Sequence, residues 1–139
     1  MAIFVRTFSN PFHPKRPSTD DVKKEPKIIV KYIFYDGLEK RYEGDEYVEI
    51  CNAGTAPGNI SGYRIHAGDK GQNFTFPEGT ILEANASYRV YTNRTDLSTG
   101  GFSFGTRRAV WDNKGEVGKL YDASGTLVDE FAYGKAAED

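Results

Sequence analysis

The sequence predicts an all-β domain, a sandwich or a closed barrel, and three observations carry that expectation. Side chains enriched in strands are abundant, with nine Tyr, nine Phe and an aromatic share of 14%. From Lys27 onward, short apolar runs are broken by Gly, Asn and Asp at intervals of about 8 to 15 residues, the spacing of many short strands joined by turns. No segment sustains the apolar period of an amphipathic helix. At 139 residues the chain is long enough for one domain around one core.

The chain divides at residue 26. Residues 1–26 hold four of the six prolines, Pro11, Pro14, Pro17 and Pro26, each of which removes a backbone donor and pushes its predecessor toward extended structure. This part reads as an arm and residues 27–139 as the domain. Ser18, Thr19, Asp20 and Asp21 are capping residues and predict one short helical turn running to Lys24. Strands are predicted near 28–36, 46–52, 61–66, 72–76, 80–82, 87–93, 108–111, 117–122 and 127–133.

Alternation assigns the faces, because successive side chains of a strand point to opposite sides. Val48 and Ile50 are expected inward, with Tyr47, Glu49 and Cys51 outward. Tyr63 and Ile65 go in and leave Arg64 and His66 wet; Phe74 and Phe76 go in as well. Leu120, Val128 and Phe131 complete the expected core, and Ala123, Ser124 and Gly125 turn the chain between the last two strands. Asn52 and Gly54 are residues that can adopt positive φ in the turn leaving the second strand. Trp111 is expected at one end of the structure, its indole N–H needing a partner.

The strand at 28–35 departs from this pattern, since both faces are apolar. Ile28, Val30, Tyr32 and Phe34 line one; Ile29, Ile33 and Tyr35 with Lys31 line the other. One face can enter the core and the other needs a cover, because burying each such side chain is worth roughly 1.5–3 kcal/mol. Two covers suit it: the arm's own Ile3, Phe4, Val5, Phe8 and Phe12, or a second copy of the chain.

A formal charge of −2 and a pI near 5.7 provide no global field toward nucleic acid or an anionic membrane. Residues 1–27 carry six Lys or Arg against three acidic residues, so a basic arm precedes an acidic domain. Ala2, Ile3, Phe4 and Val5, cut short by Arg6, are too few for the apolar region of a signal peptide, and no stretch approaches the roughly 18 apolar residues of a membrane span. With Cys51 as the one cysteine no internal disulfide can form, which points to the reducing cytoplasm. Asn59, Asn73, Asn85 and Asn93 each begin a glycosylation triplet and read as turn and strand residues.

A nucleophile needs a base within hydrogen-bond reach, and the histidines offered are His13 in the arm and His66 on an outward strand position. Cys51 lies beside Glu49 and Glu46, whose charge would raise its pKa and not activate it. One Cys and two distant His make no zinc site. The carboxylates of residues 43–46 and 112–116 are of the type that can hold calcium, but they lack the spacing of an EF-hand loop and read as solvated turns. The sequence is that of a non-enzyme with no cofactor and no metal.

The segment with most to offer is the connection from Asn93 to Ala109. Connections this long are uncommon in compact domains and often serve binding, and this one combines Arg94, Arg107 and Arg108 with Phe102 and Phe104. Arg and aromatic side chains are the usual anchors of interaction hot spots. Phe102 and Phe104 either plug the end of the structure or anchor a partner, and Trp111 just beyond them is placed with the same candidate surface. Arg94, Phe102, Phe104, Arg107, Arg108 and Trp111 are the expected binding residues.

The order of motifs from residue 45 to 134 resembles the lamin tail domain, first seen in intermediate-filament lamins and also found in bacterial proteins. The resemblance is carried by Asp45-Glu46-Tyr47-Val48-Glu49-Ile50 with Asn52-Ala53-Gly54, by Ile60-Ser61-Gly62-Tyr63-Arg64-Ile65, and by Phe74-Thr75-Phe76-Pro77-Glu78-Gly79-Thr80-Ile81-Leu82. It continues through Val90-Tyr91-Thr92, Ala109-Val110-Trp111-Asp112-Asn113-Lys114-Gly115-Glu116 and Leu120-Tyr121-Asp122-Ala123-Ser124-Gly125-Thr126-Leu127-Val128-Asp129. Tyr63 stands where that family usually has Trp, and Gly118 where a β-branched core residue is common. The resemblance implies an immunoglobulin-like sandwich and a role in binding or tethering, with no catalytic residues. The expected function is a non-catalytic module that binds a protein partner or itself. Association with nucleic acid through the basic arm and Arg107 and Arg108 is the alternative.

Overall fold

The computed structural model describes residues 23–38, 43–68 and 72–138. The capping turn expected at 18–21 and the apolar residues of the arm lie outside them. Among the described residues the chain forms β1 (Ile28–Phe34), β2 (Tyr47–Asn52), β3 (Gly58–Asn59), β4 (Arg64–Ala67), β5 (Gln72–Thr75), β6 (Ile81–Leu82), β7 (Ser87–Tyr91), β8 (Phe102–Ser103), β9 (Val117–Tyr121) and β10 (Leu127–Ala132), closing on one helical turn, α1 (Lys135–Glu138). Two four-stranded sheets, ordered β1-β2-β7-β8 and β10-β9-β4-β5, make a sandwich, and β3 pairs with β6 in a small separate ladder. No helix among these residues is long and apolar enough to cross a membrane.

The inward residues follow from alternation. Val48, Ile50 and Val90 of the first sheet are buried in one core with Ile65, Ala67 and Leu120 of the second. Phe76 is fully buried, while Tyr63, Phe74 and Phe131 are half-buried against that core. The turn between the last two strands is where Ala123, Ser124 and Gly125 predict it. Asp122 Oδ1 accepts from Ser124 N and Thr126 N, each at 2.9 Å, and Gly125 takes a φ of 89° that favours glycine.

Two register shifts alter the predicted faces. The β1–β2 pairing slips between Val30 and Tyr32, so Lys31 bulges and the parity of the strand reverses. Ile28, Val30 and Ile33 are buried and Tyr35 packs on the core, while Ile29, Tyr32 and Phe34 are left outside. The expected split of Ile28, Val30, Tyr32 and Phe34 from Ile29, Ile33 and Tyr35 therefore fails halfway along. A second slip between Leu127 and Asp129 turns Val128 out of the core, to 37% exposure, against expectation. Asp129 instead reaches across the seam between the sheets, where its Oδ2 accepts from Val30 N at 2.8 Å.

Asn52 and Gly54 do not adopt positive φ. Asn52 is a strand residue, fully buried, whose amide fastens the start of β1 to two loops. Its Oδ1 accepts from Lys27 N (3.0 Å) and Gly54 N (2.9 Å), and its Nδ2 donates to Ala56 O (2.8 Å) and Leu82 O (2.9 Å). Gly54 is needed for closeness: a Cβ there would lie 2.3 Å from Glu25 O and 2.5 Å from Lys27 N.

The strand expected at 108–111 is absent. The backbone there has no strand partner because a side chain supplies one. Glu46, wholly buried just before β2, accepts at Oε1 from Val110 N (2.9 Å), Trp111 N (3.4 Å) and Thr92 Oγ1 (2.9 Å). Burial pushes its carboxyl up to about 7, against the lowering effect of these donors.

Two predictions test these ties. Asn52→Ala strands two N–H and two C=O groups, and at roughly 1–3 kcal/mol for an unsatisfied buried group the expected loss is about 3 kcal/mol, read as a lower denaturant midpoint with unchanged slope. For Glu46 the folded-state pKa is raised from 4.5 to about 7, so its contribution is fully present below pH 4.5 and is lost as the pH rises through 7. The loss is roughly 3 kcal/mol. Stability measured by urea melts is expected to fall across that window, and Glu46→Gln is expected to remove this fall.

Candidate functional site

The connection between β7 and β9 begins as a continuation of the first sheet. Phe104 N donates to Tyr91 O (2.7 Å) and Thr106 N to Thr92 O (3.1 Å), which folds the outgoing and returning strands of the loop together. Between them Asp96 caps a single 3-10 turn, Leu97–Thr99, by accepting from Ser98 N at 3.0 Å, and Gly100 ends it at a φ of 115°. Both hydrogen bonds from Ser98 hold the exposed Asp96 carboxyl below its ordinary range. The segment is hydrogen-bonded along its length, a preorganised presentation that lowers the entropy cost of binding.

The expected binding residues separate into two sets on this frame. Phe102 packs edge-on against Phe76 and Tyr88, both at 5.1 Å, and against Phe74 at 5.9 Å. Phe104 lies 5.9 Å from Phe74 and 6.3 Å from Trp111. Both are half-buried on the core, and Trp111 is entirely buried. Among the described residues neither Trp111 Nε1 nor Glu46 Oε2 has a hydrogen-bond partner. Arg94, Arg107 and Arg108 are exposed. Arg94 lies 5.9 Å above the Tyr91 ring, and the bond between Thr106 and Thr92 brings Arg107 and Arg108 to the same end of the sandwich.

Leu97, which the sequence gives no reason to single out, stands at the tip of the capped turn with 85% of its surface exposed. An isolated leucine in a long connection reads as unremarkable; what distinguishes it is the cap at Asp96 that presents it.

The outer face of the second sheet is polar. Asn73 Oδ1 accepts from Arg64 Nη1 at 2.6 Å and lies 3.0 Å from His66 Nδ1, while the Arg64 guanidinium covers the Tyr121 ring at 4.4 Å. An open cleft of about 440 Å³ flanks His66, Lys119 and Glu116. His66 and Cys51 are on opposite sheets and form no nucleophile–base pair. Among the described residues no group of three or more His, Cys, Asp or Glu is placed to hold a metal ion.

Two four-stranded sheets packed as a sandwich over one core are the architecture of the immunoglobulin-like class. Residues 22–135 match the model of the Lamin Tail Domain family, and the chain belongs to that family. It is a family of non-catalytic immunoglobulin-like domains. No curated protein matches the chain.

The departure at Gly118 has a structural reason. A Cβ there would meet Ile33 Cδ1 at 2.6 Å and the Trp111 ring at 3.0 Å, so the missing side chain is the space into which the indole packs. Gly118→Val is expected to cost roughly 1–3 kcal/mol by overpacking, measured as a fall in melting temperature, whereas adding bulk at exposed Gly125 by a D-residue would leave the core untouched.

Proposed function

We propose that the chain is a non-catalytic interaction module, and that it engages a protein partner through the end of the sandwich carrying Leu97, Arg94, Arg107 and Arg108. Membership of the family supports protein interaction. The observation that carries the surface is the exposed Leu97, held on a capped turn, on the same connection as three exposed arginines. An apolar tip with planar cations around it is the composition of a binding hot spot. In this reading Phe102, Phe104 and Trp111 act from beneath, fixing the connection against the core, and the arginines select an acidic partner surface.

Nucleic acid would use the same cations, but nothing in the arrangement favours it over protein. The test starts from a partner captured by the whole chain and identified, followed by titration with variants. Leu97→Ala and the pair Arg107→Ala with Arg108→Ala are each expected to weaken binding about tenfold or more, roughly 1.4 kcal/mol, without lowering the melting temperature. Unchanged affinity in both variants would remove this surface from the proposal.

A further inference from the structure

The outer face of the first sheet carries a row of aromatic side chains, with Tyr32 exposed and Tyr91 itself buried at 4% exposure. Across the strands the register places Phe34 beside Tyr47 and Tyr47 beside Tyr91. Phe34–Tyr47 and Tyr47–Tyr91 ring centroids are both 5.4 Å apart, and Tyr32, 45% exposed, lies 6.2 Å from Tyr47 and 6.4 Å from Phe131 at the seam. Ile29 continues the surface toward the start of β1.

The charges on this face satisfy one another. Lys31 Nζ and Arg89 Nε reach the two oxygens of Glu49 at 3.5 and 3.0 Å, and the Arg89 guanidinium lies 4.1 Å over the Tyr47 ring. What is left to recognise is the aromatic surface itself, which suits an apolar occupant.

Such an occupant is covalently attached at the right edge. Thr55 N donates to Glu25 O (2.9 Å) and Ala53 N to Lys27 O (2.8 Å), so residues 25–27 are pinned at the Ile28 end of β1, an outer strand of this sheet. Twenty-two residues precede Lys23, and the first twelve include Ile3, Phe4, Val5, Phe8 and Phe12. The following stretch, with Pro14 and Pro17, covers about 3.1 Å per residue when extended. Ten such residues reach about 31 Å, more than the roughly 23 Å of a seven-residue strand. An attached segment on a short linker acts at an effective concentration on the order of millimolar, an advantage over a second copy of the chain.

We propose that residues 1–12 of the chain lie across the outer face of its own first sheet, covering Tyr32, Phe34 and Tyr47. The parity change at Lys31 creates the need, because it sends Tyr32 and Phe34 outward together.

The test uses Cys51, the chain's one cysteine, which pairs with Ile29 on this face, close to the pinned residues 25–27. Its rate of reaction with an aromatic disulfide reagent is measured in the whole chain, in a chain lacking residues 1–22, and in the full-length triple variant Phe4→Ser, Phe8→Ser and Phe12→Ser. Both variants are expected to react roughly fivefold faster or more, the effect of about 1 kcal/mol of lost protection. In the whole chain the slower rate is expected to stay constant on dilution. The triple variant decides even where the shortened chain folds poorly. Equal rates in the triple variant and the whole chain would overturn the proposal, and so would protection that vanishes on dilution, which would assign the face to a second copy.

Discussion

Glu46 brings a carboxyl group into the interior at the point where β2 begins, and donors from two other segments close on one of its oxygens. Burial favours the neutral acid there, and the hydrogen bonds to its oxygen replace part of the water it has lost. The consequence reaches beyond the pair. Val110 and Trp111 return from a long connection with no strand to join, and the carboxyl group satisfies the backbone donors that a strand ladder would otherwise take. Trp111 is thereby fixed over Gly118, Phe104 and Tyr133 pack on its ring at 6.3 Å each, and Phe104 in turn holds the connection down. Tyr133 completes this end by donating to Asp112 O at 2.8 Å. Burial and the surrounding Glu116, Glu46 and Asp112 push its phenol far above the ordinary range, so it remains a neutral donor.

The two open sides of the sandwich are closed by different physics. Between β1 and β10 both strands carry a register shift, and the side chain of Asp129 occupies the gap by accepting from Val30 N. A bulge with an inward carboxylate blunts an edge that could otherwise pair with another chain. On the opposite side β5 and β8 are bridged by rings: Phe74 and Phe102 approach edge to face across the gap, with Phe76 and Tyr88 behind them. One seam is polar and directional, and the other is apolar and filled by shape.

Much of this was legible in the sequence where period-two alternation ran unbroken. Val48, Ile50, Ile65 and Leu120 are buried as alternation requires, and the turn at Ala123 to Gly125 follows from its residues alone. Alternation failed at Lys31 and Val128, because a bulge reverses every face beyond it and leaves no mark in residue type. It also failed at Ala109 to Trp111, an apolar run that reads as a strand, since the deciding partner is a carboxyl group 64 residues earlier in the chain. Asn52 was read as a turn former by its type; its four hydrogen bonds arise from segments that only tertiary structure brings together. For the candidate site, the segment was legible from its length and its Arg and Phe content. The division of labour within it was not.

That division follows from how the connection is anchored. Its backbone bonds to Tyr91 and Thr92 hold Phe104 and Thr106 beside the end of β7, and the rings at 102 and 104 use the remaining freedom by filling the end of the core. Once both aromatic positions are directed inward, the exposed positions of the same segment are left to Leu97 and the arginines. A flexible loop would lose entropy on presenting them; this one is already ordered by packing that belongs to the fold's own stability. The core and the surface of the connection therefore depend on each other in one direction only. The aromatic residues can exist without a partner, whereas the arrangement of Leu97 and the arginines cannot exist without the rings beneath, and through Trp111 those rings depend on the carboxyl group of Glu46.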